Sequence, residues 1–134
     1  MEQDRYSLEM AVRDYECDLQ GVVNNAVYQN YLEHARHEYL KSLNIDFAAL
    51  AAQGINLVVT RAEIDYKTSL TSGDRFVVEV RLERVSPVRL GFRQDIYRLP
   101  DHKTVVKALI IGTALNTKGR PQLPEELKVI LDRT

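Results

Sequence analysis

Cysteine is nearly absent from this 134-residue chain, in which Cys17 stands alone. It can build no internal disulfide and belongs to no metal-type cysteine spacing, so a reducing compartment is expected, with the cytoplasm as the default. Long apolar runs are missing as well. The start, Met1-Glu2-Gln3-Asp4-Arg5, is charged and leads into no apolar core of signal-peptide length. Nowhere does the chain hold the ~18 consecutive apolar residues of a membrane span, and a soluble protein is expected. Charge of one sign is not in excess either: 18 basic and 19 acidic residues leave a formal net charge of −1. The whole-molecule field therefore draws in neither nucleic acid nor an anionic membrane, and any anion site must be local. No glycosylation sequon, internal repeat or low-complexity segment occurs. At this length one domain, residues 1–134, buries roughly 68% of its unfolded surface, enough for a core without staples.

What is present is period. Tyr6 to Val12 alternates apolar and polar side chains, the pattern of a half-buried strand. The stretch from Asp14 to Val23 has no sustained period and contains Gly21, so it reads as a loop, after which Asn24 or Asn25 can cap a helix. From Asn25 to Ser42 the apolar positions Val27, Tyr28, Tyr31, Leu32, Ala35, Tyr39 and Leu40 recur at helical spacing, with Glu33, Arg36 and Lys41 between them. A short helical turn is expected over Asp46 to Gln53, ended by Gly54. Four strands follow, Ile55–Tyr66, Asp74–Val85, Val88–Arg98 and Thr104–Asn116, with Pro124 and two glutamates opening a terminal helix. The connectors Thr71-Ser72-Gly73, Ser86-Pro87 and Leu99-Pro100-Asp101-His102 are short, so consecutive strands are expected to be antiparallel neighbours. The class is α+β, and one long helix and an antiparallel sheet bury each other's apolar faces if the sheet curls around the helix.

The run Arg13-Asp14-Tyr15-Glu16-Cys17-Asp18-Leu19-Gln20-Gly21-Val22-Val23-Asn24-Asn25-Ala26-Val27-Tyr28, then His34-Ala35-Arg36-His37-Glu38, Leu70 to Val78 and Arg98-Leu99-Pro100, covers nearly the whole chain. It resembles the hotdog thioesterases of the 4-hydroxybenzoyl-CoA thioesterase superfamily, among them the plant acyl-ACP (acyl-lipid, methylketone-synthase-type) thioesterases and their bacterial relatives. The resemblance implies a hotdog fold and hydrolysis of fatty-acyl, 3-ketoacyl or aromatic acyl thioesters of CoA or acyl carrier protein. It implies a homodimer or homotetramer with sites at the dimer interface, and no metal or cofactor. It places the catalytic carboxylate on Asp18 and the carbonyl-polarising amide at Asn24 and Asn25, with Gly21 and Val22 in the substrate-binding loop. The family pattern is broken at Ser69, where proline is common, and at Val22, where larger plant enzymes carry histidine. Val22 argues against histidine-assisted chemistry and against a hotdog dehydratase.

Each of these residues also has an ordinary explanation. A loop aspartate commonly closes a turn, and asparagine is a preferred helix cap. A helix start nonetheless carries about half a positive charge and unpaired N–H groups suited to a developing oxyanion, and a carboxylate beside it can attack a thioester or activate water. Glu33 is a helical acid of a kind that some relatives use, though helical glutamates are usually solvated. His34 and His37 have no further ligands at suitable spacing. Cys17, flanked by Glu16 and Asp18, is a poor nucleophile. Arg89 and Arg93 share one face of a strand and, with Arg84 and Lys107, are candidates for the phosphates of CoA or a phosphopantetheine arm. The run Val105 to Ile111 holds more apolar surface than one helix covers, which favours assembly. The alternative reading is a non-catalytic acyl-thioester binding module.

Overall fold

The computed structural model describes residues 5–133. In chain order it contains β1 (Arg5–Ala11), a single 3-10 turn (Asp14–Glu16), α1 (Asn25–Ser42), α2 (Phe47–Ala52), β2 (Asn56–Tyr66), β3 (Arg75–Ser86), β4 (Arg89–Leu99), β5 (Lys103–Leu115) and α3 (Glu125–Leu131). The long helix begins where its cap dictates, because the Asn24 side chain accepts from the Ala26 N–H at 2.9 Å. It ends where Asn44 takes φ 65° and the Ile45 N–H returns to the Leu40 carbonyl at 3.0 Å. Asp46 caps α2 in the same way, accepting from Ala49 at 3.1 Å.

One antiparallel sheet has the order β1-β3-β4-β5-β2. Its registers put apolar residues in rows across the strands: Leu8, Val78, Ile96 and Val106 in one row, and Leu82, Phe92 and Ile110 in another. Helix α1 lies on that face and buries Tyr28, Tyr31, Leu32, Ala35, Tyr39 and Leu40. The Tyr31 ring meets Phe76 with centroids 4.6 Å apart, and Tyr39 meets Tyr6 at 5.7 Å. The opposite face carries charge in its rows, including Arg81 beside Arg93 and Glu79 beside Asp95, in keeping with a two-period strand that has one wet side. This is the hotdog arrangement, with the sheet wrapped on one long helix.

One expectation fails. β2 and β3 are not neighbours: β2 pairs with β5 at one edge of the sheet, and β3 sits between β1 and β4. The chain from Lys67 to Asp74 is longer than its turn-like Thr71-Ser72-Gly73 suggests. Eight extended residues reach about 26 Å, whereas three interstrand steps need only about 14 Å. The apolar run in β5 also differs from expectation, because Val105, Val106, Ala108 and Ile110 are already buried within the single chain.

The β2–β5 seam depends on Gly112. A Cβ there would stand 2.7 Å from the Val58 carbonyl oxygen, against backbone that cannot rotate away. Gly112→Ala is therefore expected to destabilise the protein by about 1–3 kcal/mol, the usual cost of overpacking, as measured by urea unfolding. A variant as stable as the parent would show that the seam has slack.

Candidate active site

The segment before α1 is a small hairpin rather than an irregular loop. Cys17 and Val23 form a bridge, the Asp18 N–H donates to the Val22 carbonyl at 2.9 Å, and the Gly21 N–H donates to the Asp18 carbonyl at 3.0 Å. Gly21 takes φ +82°, the left-handed conformation that such a tight loop needs in one position and that a Cβ would strain. Asp18 Oδ1 accepts from the Gln20 N–H at 2.9 Å and from the Val22 N–H at 3.4 Å. Asp18 thus does close a turn, as its type allows, and the hydrogen bonds it accepts all fall on one oxygen. Its other oxygen, Oδ2, points to no partner among the described residues.

The hairpin is held against the start of α1 by the crossing segment. Val22 bridges Thr71, the Val23 N–H donates to the Leu70 carbonyl at 2.9 Å, and the Leu70 N–H donates to the Tyr28 hydroxyl at 2.9 Å. On the other side, Glu16 works as a clamp. Its Oε1 accepts from the Arg13 N–H at 2.8 Å and the Tyr31 hydroxyl at 2.7 Å, and its carbonyl accepts from the Asn24 N–H at 3.2 Å. Burial and the Glu16 carboxylate push the Tyr31 hydroxyl well up, so it stays a donor at any ordinary pH. At the helix start, Asn24 caps Ala26 and the Val27 N–H returns to the Asn24 carbonyl, which leaves the Asn25 N–H unengaged among the described residues. Asp18 thus keeps one unengaged carboxylate oxygen in the hairpin, and seven residues later the helix start keeps an unengaged amide.

Other predicted residues lie elsewhere in the single chain. Glu33 is exposed and some 12 Å along α1 from Asn25, with Oε2 4.0 Å from His37 Nε2. Arg93 projects from the sheet face opposite α1, paired with Glu83 at 2.6 Å. From the start of β3, which adjoins the hairpin, strand rise puts Arg93 about 20 Å and Arg89 about 35 Å away. Arg84 is paired with Asp132 and Lys107 with Asp95. Burial first, then Asp14, Asp18 and Glu16, raise the Cys17 thiol, which makes it a poorer nucleophile. Among the described residues no group of three or more metal-type side chains converges.

A family model described as "Thioesterase-like superfamily" matches residues 12–131. The chain belongs to that superfamily. It is 39% identical over 124 residues to the chloroplastic acyl-acyl carrier protein thioesterase ATL3 of Arabidopsis thaliana, an alignment that covers 92% of this chain and 65% of that protein. It spans 62% of a second Arabidopsis thaliana protein, the chloroplastic acyl-acyl carrier protein thioesterase ATL2, so it falls just short of two thirds of either relative's length. It is 28% identical to the long-chain acyl-CoA thioesterase FadM of Escherichia coli, covering 88% of this chain and 89% of that one. A solved 1,4-dihydroxy-2-naphthoyl-CoA thioesterase from Synechocystis superposes with a TM-score of 0.90 over 96% of both chains at 18% identity, a likeness of fold. No described helix is long and apolar enough to cross a membrane.

Sequence reading missed the clamp. Glu16 has no pattern that marks it, and the Tyr28 and Tyr31 hydroxyls were hidden because both rings fit the apolar stripe of α1. Tyr31→Phe removes only the bond to a carboxylate, and a loss of about 1.5–3 kcal/mol of stability is expected, read by denaturant unfolding followed in the far-ultraviolet. An unchanged midpoint would show that Glu16 is held by Arg13 alone.

Proposed function

We propose that the protein hydrolyses acyl thioesters of CoA or acyl carrier protein. What supports this reading is that Asp18, held by its own hairpin with one oxygen unengaged, comes seven residues before the unengaged Asn25 amide at the start of an eighteen-residue helix. The thioester carbonyl oxygen lies toward the Asn25 N–H, where the helix start stabilises negative charge as it grows. Asp18 Oδ2 takes the proton of a water that attacks the carbonyl carbon, the tetrahedral oxyanion collapses, the C–S bond breaks, and the leaving thiolate receives the proton. Attack by Oδ2 itself, giving an anhydride that water then opens, uses the same atoms. Either route ends in a free acid and a thiol.

The hairpin leaves Leu19 fully exposed and Tyr15 76% exposed beside Asp18, and β2, an edge strand, exposes Val59 and Tyr66. Apolar side chains beside a site and along an open edge favour a partner surface. We therefore infer a homodimer, or a tetramer of paired dimers, with the acyl chain held where two copies meet. Light scattering coupled to sizing is expected to give two or four times the chain mass at micromolar concentration. A monomer that is active at that concentration would sink the shared site.

The test of the chemistry is Asp18→Asn, which keeps the oxygen that accepts from Gln20 and Val22 and removes the charge. Turnover on the best of a panel of acyl-CoA and acyl-carrier-protein thioesters, followed by thiol release, is expected to fall by roughly 10²–10⁴ with KM little changed. Glu33→Gln, made in parallel, is expected to stay near the parent rate. The reverse outcome would move the chemistry to the helix, and no thiol release by the parent from any thioester would leave a binding module instead.

A further inference from the structure

The face of the sheet turned away from α1 holds an open trough of about 620 Å³. Strand register lays two charged rows across it. Arg5, Arg81 and Arg93 stand side by side on β1, β3 and β4, and two residues along each strand Ser7, Glu79 and Asp95 do the same. Like charges directly opposite on neighbouring strands are unfavourable, so arginine beside arginine and acid beside acid are not what an ordinary wet face selects. The chain relieves part of this itself, since Arg93 pairs with Glu83 at 2.6 Å and Lys107 with Asp95 at 3.7 Å. Among the described residues Arg81 and Glu79 have no ion-pair partner, and no ion pair joins one row to the other.

The rows lie about 7 Å apart, the rise of two strand residues, and any second copy carries the same spacing. We propose that a second copy of this chain docks on this face through a two-fold axis running across the strands, level with the inward row Tyr6, Val80, Gln94 and Ala108. That axis exchanges the rows. Arg81 falls on the partner's Glu79 and Arg93 on the partner's Asp95, each contact made twice, as a self-complementary interface requires. On β5, Leu109 falls on the stem of the partner's Lys107, which covers apolar surface while its ammonium stays wet. An axis along the strands would set Arg81 on the partner's Arg93 instead, so the charge pattern selects one docking over the other.

The area suffices. β3, β4 and β5 hold 12, 11 and 13 residues, and strands of that length set ~4.8 Å apart in a five-stranded sheet give a face on the order of 700–900 Å², against ~800 Å² per partner in a specific interface. Packed sheets stand ~10 Å apart, a gap that an arginine and a glutamate bridge from opposite sides. β3 and β4 lie inside the sheet, with β5 between them and the β2 edge. The contact is therefore separate from the one inferred at the hairpin and β2, and it stands whether or not thioesters are hydrolysed. Together the two contacts make four chains.

Sizing coupled to light scattering on the full chain tests the face. Arg81→Glu sets glutamate on glutamate, and Glu79→Lys sets lysine on arginine, twice in each interface. Each variant is expected to weaken this association at least about tenfold, as like charges opposed across an interface do, and to halve the mass at micromolar concentration. Mixed in equal parts, one variant brings an acid at both positions and the other a cation at both, so the parent mass is expected to return. A fold defect within one chain would not be cured by mixing. Folding is checked by far-ultraviolet dichroism, and should either variant fail to fold, Arg93→Glu and Asp95→Lys are mixed in the same way. A parent of two chains that both variants dissociate would support this face and remove the hairpin contact instead. An assembly kept by either variant, a mixture that stays at the lower mass, or a parent that is a single chain would each overturn the proposal. So would pyrophosphate bound by the parent and lost at Arg81→Glu with the mass unchanged, which would make the arginine row an anion seat.

Discussion

The structure turns on Leu70, a residue outside any strand or helix whose backbone is nevertheless fully buried. Buried peptide groups must find partners, and connecting segments therefore usually stay at the surface. Here both groups are satisfied from the same place: the Leu70 N–H by the Tyr28 hydroxyl and its carbonyl by the Val23 N–H. One residue of the crossover is thus bonded to the first turn of α1 and to Val23, two residues before the helix. Any slide of the helix start relative to the sheet would strand a donor or an acceptor, at about 1–3 kcal/mol each. The hairpin that carries Asp18 is tied to the crossover at this point.

A second fixed line runs through the middle of the helix. Gln94 is the fully buried polar side chain of β4, and both ends of its amide are used by α1, one by the Leu32 carbonyl and one by Arg36. Its cross-strand neighbours Val80 and Ala108 can offer it nothing polar from their side chains. The glutamine is therefore satisfied in one register of helix on sheet. Two anchors along α1, Leu70 on Tyr28 and Gln94 on Leu32 and Arg36 about 6–12 Å further on, leave neither translation nor rotation free. The aromatic contacts Tyr31–Phe76 and Tyr6–Tyr39 fill the space that these anchors define.

Element types were legible in the sequence because each follows a short-range rule. The alternation of β1, the three-and-four spacing of α1, and an asparagine cap at Asn24 or Asn25 are properties of neighbouring residues. Strand order was not legible, because it depends on which partner a strand finds across the sheet. A turn-like triplet, Thr71-Ser72-Gly73, hides a crossover whose length becomes meaningful only once β1 takes the place beside β3. At the site, the motif around Asp18 could be read and the geometry of its hairpin could not. Glu16, Tyr28 and Tyr31 act through hydroxyls and a carboxylate reaching across 15 to 42 residues of sequence, and no periodicity records such a reach.

The local charge around the hairpin bears on what can work there. Asp14, Glu16 and Asp18 lie within five residues, with Arg13 the only nearby cation in that stretch and already bonded to Tyr15 and Glu16. A CoA phosphate or an acidic carrier brought to this loop meets like charge. What favours it locally is the partial positive end of α1, a field that fades within a turn and suits one carbonyl oxygen better than distant phosphates. The arginines that could balance phosphate charge, Arg89 and Arg93, stand roughly 35 and 20 Å away on the other face of the same sheet. On the proposed reading, the hairpin of one chain would supply the reacting groups while Arg89 and Arg93 stand too far away to hold a phosphate bound beside it. On the same reading, cations brought by a second copy would complete a handle for the carrier, an electrostatic argument for the inferred homodimer that is separate from the exposed Leu19 and Tyr15.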